Sequence, residues 1–169
     1  MTEATATSID LNRHLYGNPD AIMTVVEYGD FECPYCGAAA PVLKELIDGS
    51  DGQVNLVFRH FPLFTVHPFA LTAALAAEAA GDRFWDMHWK LFAHQGKLTD
   101  PDLQRWGDLL GLGPVTGEAA QAFQPAVQAD YASGLTLGVS ATPTLCIDNR
   151  RYTGRVELRA LRTALGLGR

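Results

Sequence analysis

The sequence has few cysteines and no long uninterrupted apolar run, and both absences restrict the class of protein. Three cysteines, one close pair and one distant, do not form the pattern of a structural disulfide framework. The longest apolar region, residues 69–80, is broken by Thr72 and Glu78 and is too short to cross a bilayer. The N-terminal residues do not show a basic start followed by an apolar stretch, which would indicate a secretory signal. We therefore expect a cytoplasmic protein with no membrane partner.

Positive charge is also scarce. Lys and Arg number 13 against 19 Asp and Glu, which gives a formal net charge of -6. Phosphate binding requires clustered Lys and Arg, so we expect no nucleic-acid partner. Hydrophobic residues make up 47% of the chain and charged residues 19%, which is typical of a globular protein rather than a disordered one.

Hydrophobic periodicity predicts a strand–helix–strand unit in the first third of the chain. A connection of this length favours parallel pairing of the two strands. The predicted elements are a polar arm over residues 1–20 that ends in a turn, a strand over 22–28, a helix over 33–48 and a strand over 54–61.

The middle of the chain predicts helices only. An Ala-rich helix spans residues 67–80, and Asp82 is placed to cap the next helix. Thr99–Asp102 resembles a capping box, which marks the start of a further helix. Pro125 begins another helix, which ends at Gly138.

The last thirty residues return to strand and then to helix. Two short strands are predicted over residues 144–147 and 151–153. Asp148 and Asn149 between them suit a tight hairpin, because both residue types tolerate positive φ. An amphipathic helix over residues 156–165 ends the chain.

A pair of cysteines at the start of the first helix is the strongest chemical signal. Cys33 and Cys36 are three residues apart, which on a helix brings the side chains within about 5–6 Å on one face. Pro34 favours the first helical position, so Cys33 is expected at the cap, where free N–H groups and the helix dipole stabilise a thiolate. We expect an exposed Cys33 to attack disulfides and Cys36 to resolve the mixed disulfide. Asp30 and Glu32 oppose this ionisation but are screened if exposed.

Two other interpretations of the pair stay open. The cysteines could simply pack in the core, as free cysteines often do. They could also bind zinc, which usually takes four ligands, or three and a water, with His60 and His67 as the additional ligands. Alternatively, one of these histidines could support the Cys33 thiolate, although a structural role is more common.

The combination of motifs resembles the thioredoxin superfamily. Cys33-Pro34-Tyr35-Cys36 follows a strand, and Thr142-Pro143 precedes another strand far downstream. The helical block between them resembles the DsbA-like branch, especially bacterial members related to domains fused to sodium/proton antiporters. Further stretches that resemble this branch are residues 26–32, 58–63 and 142–144.

The resemblance implies an α/β fold, the thioredoxin fold, in which helices flank a central mixed sheet. The first half of the core, with the N-terminal arm, would span residues 1–66, and the second half residues 139–169. An all-helical insertion would occupy residues 67–138.

The resemblance also implies roles for individual residues. Pro143 matches the family's cis-proline beside the disulfide, and it would turn the Thr142 backbone toward a substrate peptide. Glu27 matches a buried acid whose raised pKa would let it exchange the Cys36 proton. Tyr35 completes the expected substrate contacts. The alternatives are an ordinary trans turn proline at Pro143 and a solvent-facing carboxylate at Glu27.

These observations predict a protein dithiol–disulfide oxidoreductase that needs no cofactor or metal. Its substrates would be cysteine-containing proteins or small thiols, and its redox partner glutathione or another thioredoxin-type reductant. Because Pro34-Tyr35 also resembles glutaredoxins, a glutathione-dependent reductase is one alternative. A non-catalytic module that binds metal or protein on the same frame is the other. Cys146 is expected to be a small core residue.

Overall fold

The computed structural model describes residues 10–168, and it shows five strands and seven α-helices there. The strands are β1 (Leu15–Gly17), β2 (Met23–Gly29), β3 (Val54–His60), β4 (Thr144–Ile147) and β5 (Arg150–Tyr152). The helices are α1 (Pro34–Asp48), α2 (Ala70–Ala79), α3 (Phe84–Ala93), α4 (Asp100–Leu109), α5 (Gly117–Gln121), α6 (Gln124–Thr136) and α7 (Leu158–Ala164). The thioredoxin fold with a helical insertion, expected from the resemblance, is confirmed.

The sheet is mixed and has the order β1-β3-β2-β4-β5. β2 and β3 pair in parallel, and α1 connects them, as the sequence predicts. The other pairs are antiparallel. β2 therefore lies at the centre of the sheet, and its carboxyl end leads directly into the segment that carries Cys33.

Both faces of the sheet are covered because the central strands carry apolar side chains on both sides. Val25 belongs to the cluster that includes Leu43 of α1. On the other face, Tyr28 and Phe61 pack with Tyr131 of α6, whose ring stacks on Phe61 at a centroid distance of 4.5 Å. The sheet is thus held between α1 and α7 on one side and α6 on the other.

The prediction of a polar arm over residues 1–20 is wrong for part of that segment. Residues 1–9 lie outside the described residues, but Leu15–Gly17 forms the edge strand β1, which pairs with β3. The Trp85 indole also donates a hydrogen bond to the Leu15 carbonyl, at 3.0 Å. Three residues are too few to show a strand period, so tertiary partners alone create this strand.

The insertion differs from its prediction at several helix ends. α2 begins at Ala70 rather than at residue 67, because Pro68 disfavours the helical conformation of the residue before it. Asp82 lies in a short 3₁₀ turn and forms no cap, since α3 begins only at Phe84. The short helix α5 was not predicted.

Other predicted features of the second half are confirmed. The capping box at Thr99 and Asp102 is present, and Pro125 lies in the first turn of α6. Asp148 and Asn149 both have positive φ, 46° and 65°, in the hairpin between β4 and β5. Between residues 10 and 168, no helix combines the length and apolar character needed to cross a membrane.

A buried carboxylate on α2 joins the N-terminal segment to the core. One Glu78 oxygen lies 2.7 Å from His14 Nε2, 2.9 Å from His60 Nε2 and 2.5 Å from Arg13 Nη1. Burial alone raises the pKa of Glu78, but hydrogen bonds from His14 and His60 outweigh it and hold the pKa below its usual range. This cluster could not be predicted from the sequence, because its members are far apart along the chain.

A second buried carboxylate, Asp130 of α6, extends the network. It pairs with Arg13, accepts a hydrogen bond from the His60 backbone N–H at 3.0 Å and lies 3.7 Å from Arg59 Nε. Arg59 in turn donates to the Arg13 carbonyl at 2.7 Å. Glu78 and Asp130, both in the insertion, therefore hold residues 13 and 14 next to β3 through hydrogen bonds and ion pairs.

The fully buried His88 of α3 makes stability depend on pH. Neither ring nitrogen has a hydrogen-bond partner within residues 10–168, and burial lowers the pKa well below the ordinary value of 6.5. Below about pH 6.5 the unfolded chain binds a proton at His88 that the folded chain does not bind, so the free energy of unfolding decreases as the pH is lowered. We expect His88→Phe to remove a slope of up to about 1.4 kcal/mol per pH unit.

Denaturant unfolding between about pH 7 and about pH 5 measures this slope. The control is Met87→Leu, the neighbouring buried residue, which should change stability without changing its pH dependence. Equal slopes in His88→Phe and the wild type would contradict the prediction.

Candidate active site

Cys33 lies between β2 and α1, where the chain changes from strand to helix. It is the N-cap residue of α1, with φ −68° and ψ 121°, and Pro34 is the first helical residue. Its backbone N–H donates to the Asp30 carbonyl at 3.1 Å and closes the turn between the two elements. The strand–turn–helix placement follows the sequence prediction. Cys33 and Cys36 are both free thiols.

The surroundings of the Cys33 sulfur favour its anion. A hydrogen bond from the Cys36 thiol is the largest influence, and it lowers the pKa of Cys33 to about 5 against the opposing effect of burial. The Thr142 side chain and the backbone N–H groups of Cys36 and Tyr35 lower it further. In the protonated state the thiol donates instead to the Thr142 carbonyl, at 3.5 Å. Helix-start N–H groups therefore contribute as expected, but the second cysteine contributes more.

The expected exposure of Cys33 is wrong. The residue is only 2% exposed, since its sulfur packs between Cys36 and the Thr142 carbonyl. Its sequence neighbours Pro34 and Tyr35 are exposed, Tyr35 by 76%, so the sulfur lies just beneath the surface. This packing restricts the approach of a substrate disulfide to the sulfur.

The second sulfur has the opposite proton affinity. Cys36 is fully buried, and burial raises its pKa above the ordinary thiol range. Its hydrogen bond to Cys33 and the nearby charge of Glu27 act in the same direction. At neutral pH the site therefore holds a thiolate at Cys33 and a neutral thiol at Cys36.

Glu27 lies in the interior and not at a solvent-facing edge. Its exposure is 0%, and neither carboxylate oxygen has a hydrogen-bond partner in the described part of the chain. Burial, and secondarily the charge of Cys33, raise the pKa of Glu27 to about 8. Such a group exchanges protons near neutral pH, and its charge acts on Cys36. Its part in catalysis stays a prediction.

The downstream proline segment completes the site. The peptide bond between Thr142 and Pro143 is cis, as the resemblance implies, and the ordinary trans turn is excluded. Thr142 is buried, and its hydroxyl has no hydrogen-bond partner among the residues that the structure describes. That hydroxyl is therefore free to donate to a thiolate at Cys33. The proposed substrate contacts of Thr142, Pro143 and Tyr35 stay predictions.

Asp30 has a role that the sequence analysis missed. Its charge was expected to be screened if the residue were exposed, but Asp30 is only 2% exposed. Its carboxylate accepts hydrogen bonds from the backbone N–H groups of Glu32 and Leu63, at 2.8 and 2.9 Å, and from His67 Nδ1, at 2.7 Å. An acid at the end of a buried strand was the only sequence signal for this function. Asp30 binds the loop after β3 to the turn before Cys33.

The two histidines considered from the sequence lie in different places. His60 contacts Glu78, away from the cysteine pair. His67 pairs with Asp30; burial lowers its pKa, but the hydrogen bond to Asp30 and the charges of Asp30 and Cys33 outweigh burial and raise it. His67 is therefore the histidine whose charge acts on the Cys33 thiolate.

Within residues 10–168, no group of three or more potential metal ligands includes Cys33 or Cys36. The group of three potential ligands found there is His14, His60 and Glu78, whose donor atoms lie within 4.8 Å of one another. It contains no cysteine, and the Arg13 guanidinium contacts both His14 and Glu78. We interpret the group as part of the hydrogen-bond and ion-pair network of Glu78 and Asp130.

The distant Cys146 was expected to be a small core residue. It packs against the core but is partly rather than fully buried.

The low pKa of Cys33 predicts selective alkylation. The rate of Cys33 modification by iodoacetamide should rise through about pH 5 and level off by about pH 7, because the thiolate is the nucleophile. Cys36 and Cys146, whose pKa values are raised by burial, should react slowly. Mass spectrometry of each cysteine over this range tests the prediction, with the denatured protein as reference. A Cys33 rate that rises only near the pH of an ordinary thiol would contradict it.

Comparison with known proteins identifies the family to which this chain belongs. A family model described as Thioredoxin matches residues 10–166. A sodium/proton antiporter, NhaA 1 of Salinispora arenicola, is 45% identical over 157 residues, which cover 90% of this chain and 24% of that protein. The chain thus spans about a quarter of the length of the curated relatives it matches.

Two solved structures are similar over nearly their whole length. A thioredoxin-like oxidoreductase from Silicibacter pomeroyi is 32% identical with a TM-score of 0.79, and the match covers 93% of this chain and 92% of that one. DsbA2 of Pseudomonas aeruginosa is 29% identical with a TM-score of 0.68, over 90% and 92% of the two chains. The chain therefore belongs to the thioredoxin family, and it is similar in structure to a DsbA-type oxidoreductase.

Proposed function

We propose that this protein is a thiol–disulfide oxidoreductase that exchanges disulfides through Cys33 and Cys36. The observation that carries the proposal is the placement of the two cysteines: Cys33 caps α1 against the Thr142 carbonyl, and Cys36 lies fully buried in the first turn of that helix. One sulfur at the helix start is held as a thiolate, while the other, one turn inside, keeps its proton. A pair of this kind supplies a nucleophile and a resolving thiol within the reach of one disulfide.

The reaction follows from these proton states. The Cys33 thiolate attacks one sulfur of a substrate disulfide, forms a mixed disulfide and releases the other substrate sulfur as a thiolate. Cys36 then loses its proton and attacks the Cys33 sulfur, which releases the reduced substrate and leaves a Cys33–Cys36 disulfide. The reverse sequence oxidises a substrate dithiol.

The second step requires a base, because the buried Cys36 thiol does not ionise by itself at neutral pH. Glu27 is the nearest candidate, since its charge acts on Cys36 and its own pKa lies near 8. In the forward reaction it would accept the Cys36 proton, and in the reverse reaction it would return it.

Thr142, Pro143 and Tyr35 are the proposed substrate contacts. The Thr142 carbonyl faces the Cys33 sulfur, so a peptide that approaches this sulfur passes the backbone at Thr142. An extended peptide can pair with such backbone as an added strand. Tyr35, two residues after Cys33, offers an exposed aromatic side chain. We propose cysteine-containing proteins or small thiols as substrates, and glutathione or a thioredoxin-type protein as the redox partner.

We also propose that the protein is cytoplasmic, as expected from its sequence. Fractionation of the native host tests this location. The antiporter relatives are named for transport, and this chain matches only about a quarter of their length. We therefore do not propose transport for it.

Insulin reduction by dithiothreitol tests the proposed activity. We expect the wild type to accelerate the reaction and Cys33→Ser to abolish the acceleration, because the nucleophile is lost. Cys36→Ser should accumulate a mixed disulfide that mass spectrometry detects. Cys146→Ser, on β4 and outside the site, is the matched control and should keep the wild-type rate. Equal rates for the wild type and Cys33→Ser would end the proposal.

A redox titration of the Cys33–Cys36 pair against glutathione determines the direction of exchange. A potential far below the cytosolic poise indicates a reductase, and one well above it indicates an oxidant or isomerase. Turnover that requires glutathione specifically would favour the glutaredoxin-like alternative.

Glu27→Gln tests the proposed base. The amide keeps the shape of the carboxyl but cannot accept the Cys36 proton, so resolution of the mixed disulfide should slow by at least about tenfold. In the wild type the resolving rate should also rise through about pH 8, where Glu27 ionises, and this rise should vanish in the variant. Rapid-quench analysis of a preformed mixed disulfide measures the rate. An unchanged pH profile would remove Glu27 from the mechanism.

A further inference from the structure

The turn that carries Cys33 is held by a side chain from the helical insertion. Gln95 lies just after α3, and its amide nitrogen donates to the Phe31 carbonyl at 3.0 Å and to the Cys33 carbonyl at 2.8 Å. An amide nitrogen has two hydrogens, so both are used on the same short turn. We propose that Gln95 is a positioning residue that fixes this turn and favours the thiolate at Cys33. The inference rests on the proposed function and extends it to a residue outside the core fold.

The Cys33 carbonyl is a sensitive point of attachment. It also accepts the first backbone hydrogen bond of α1, from the Gly37 N–H at 3.0 Å. Gln95 therefore supplies the second hydrogen bond to this oxygen and saturates it. The orientation of that peptide group determines where the next N–H groups point, and those of Tyr35 and Cys36 stabilise the sulfur anion.

Gly37 makes the approach of Gln95 possible. A Cβ atom at position 37 would lie 2.1 Å from Gln95 Oε1, which is closer than atoms can pack. Glycine disfavours a helix compared with alanine, so a glycine in the first turn of α1 needs a reason. The space taken by Gln95 gives that reason.

Electrostatics points in the same direction. The carbonyl oxygens of Phe31 and Cys33 carry partial negative charge close to the sulfur, and this charge opposes a thiolate. The Gln95 hydrogens offset it in a partly buried setting, where such dipoles are weakly screened. The Cys33 sulfur also experiences other ionisable groups, and Gln95 would act in addition to them. These groups are Glu27 on β2, Asp30 and Glu32 on the turn, Cys36 on α1 and His67 from the loop after β3.

Gln95→Met tests the inference, because methionine keeps the length of the side chain and removes both donors. We expect the pKa of Cys33 to rise by about half to one unit. Because the reduced form loses stability, the equilibrium with glutathione should move about three- to tenfold toward the Cys33–Cys36 disulfide. Thiolate absorbance at varied pH and the glutathione titration measure the two effects in the full chain.

Gln104→Met is the matched control. Gln104 is another half-buried amide of the insertion, and its hydrogen bonds to Asp108, Gly113 and Val115 do not involve the turn that carries Cys33. The control should lower the unfolding temperature without moving the Cys33 pKa. If Gln95→Met likewise changes only the unfolding temperature, Gln95 is merely structural and the inference is wrong.

Gly37→Ala provides a second route if Gln95→Met folds poorly. A methyl group there should displace the Gln95 amide and raise the Cys33 pKa in the same way. Combined with Gln95→Met, it should add little further shift, because both changes remove one contact. Fully additive shifts would overturn the inference. These results are separate from the proposed function, which depends on the loss of activity in Cys33→Ser.

Discussion

The position of two cysteines at the start of α1 sets the chemical properties of the whole site. The neighbouring Cys36 thiol lowers the pKa of Cys33, whereas burial, and secondarily the contact with Cys33, raises the pKa of Cys36. This arrangement requires a helix whose cap residue is Cys33, and Pro34 at the first helical position favours that start. Strand β2 then fixes the start of that helix against the core of the sheet.

The short-range part of the site could be predicted from the sequence, because its signals are local. A proline between two cysteines marks a helix start, whereas the buried acid at Glu27 followed from the resemblance. The cis bond before Pro143 followed from the resemblance and not from a local signal. Strand and helix order followed from periodicity in the long elements, whereas β1 and α5 were too short to show any period.

The rest depended on contacts between distant segments. The burial of Cys33 comes from Thr142, more than a hundred residues away, and the burial of Asp30 comes from the loop after β3. The networks of Glu78 and Asp130 combine four separate segments of the chain. Residue type and spacing do not encode such contacts, so neither the burial of Asp30 nor the hydrogen bonds of Gln95 could be predicted from the sequence.

The burial of Cys33 just beneath the surface also affects how long the protein stays active under oxidative conditions. A thiolate with a low pKa is the form that peroxides convert to sulfenic and then to sulfinic acid, and the second product is not readily reversed. Because Cys33 is only 2% exposed, its sulfur meets such small oxidants less often than the sulfur of an exposed cysteine. A neighbouring Cys36 can also capture a sulfenic acid as a disulfide before further damage. The same packing that delays a substrate thus limits irreversible loss of the active cysteine.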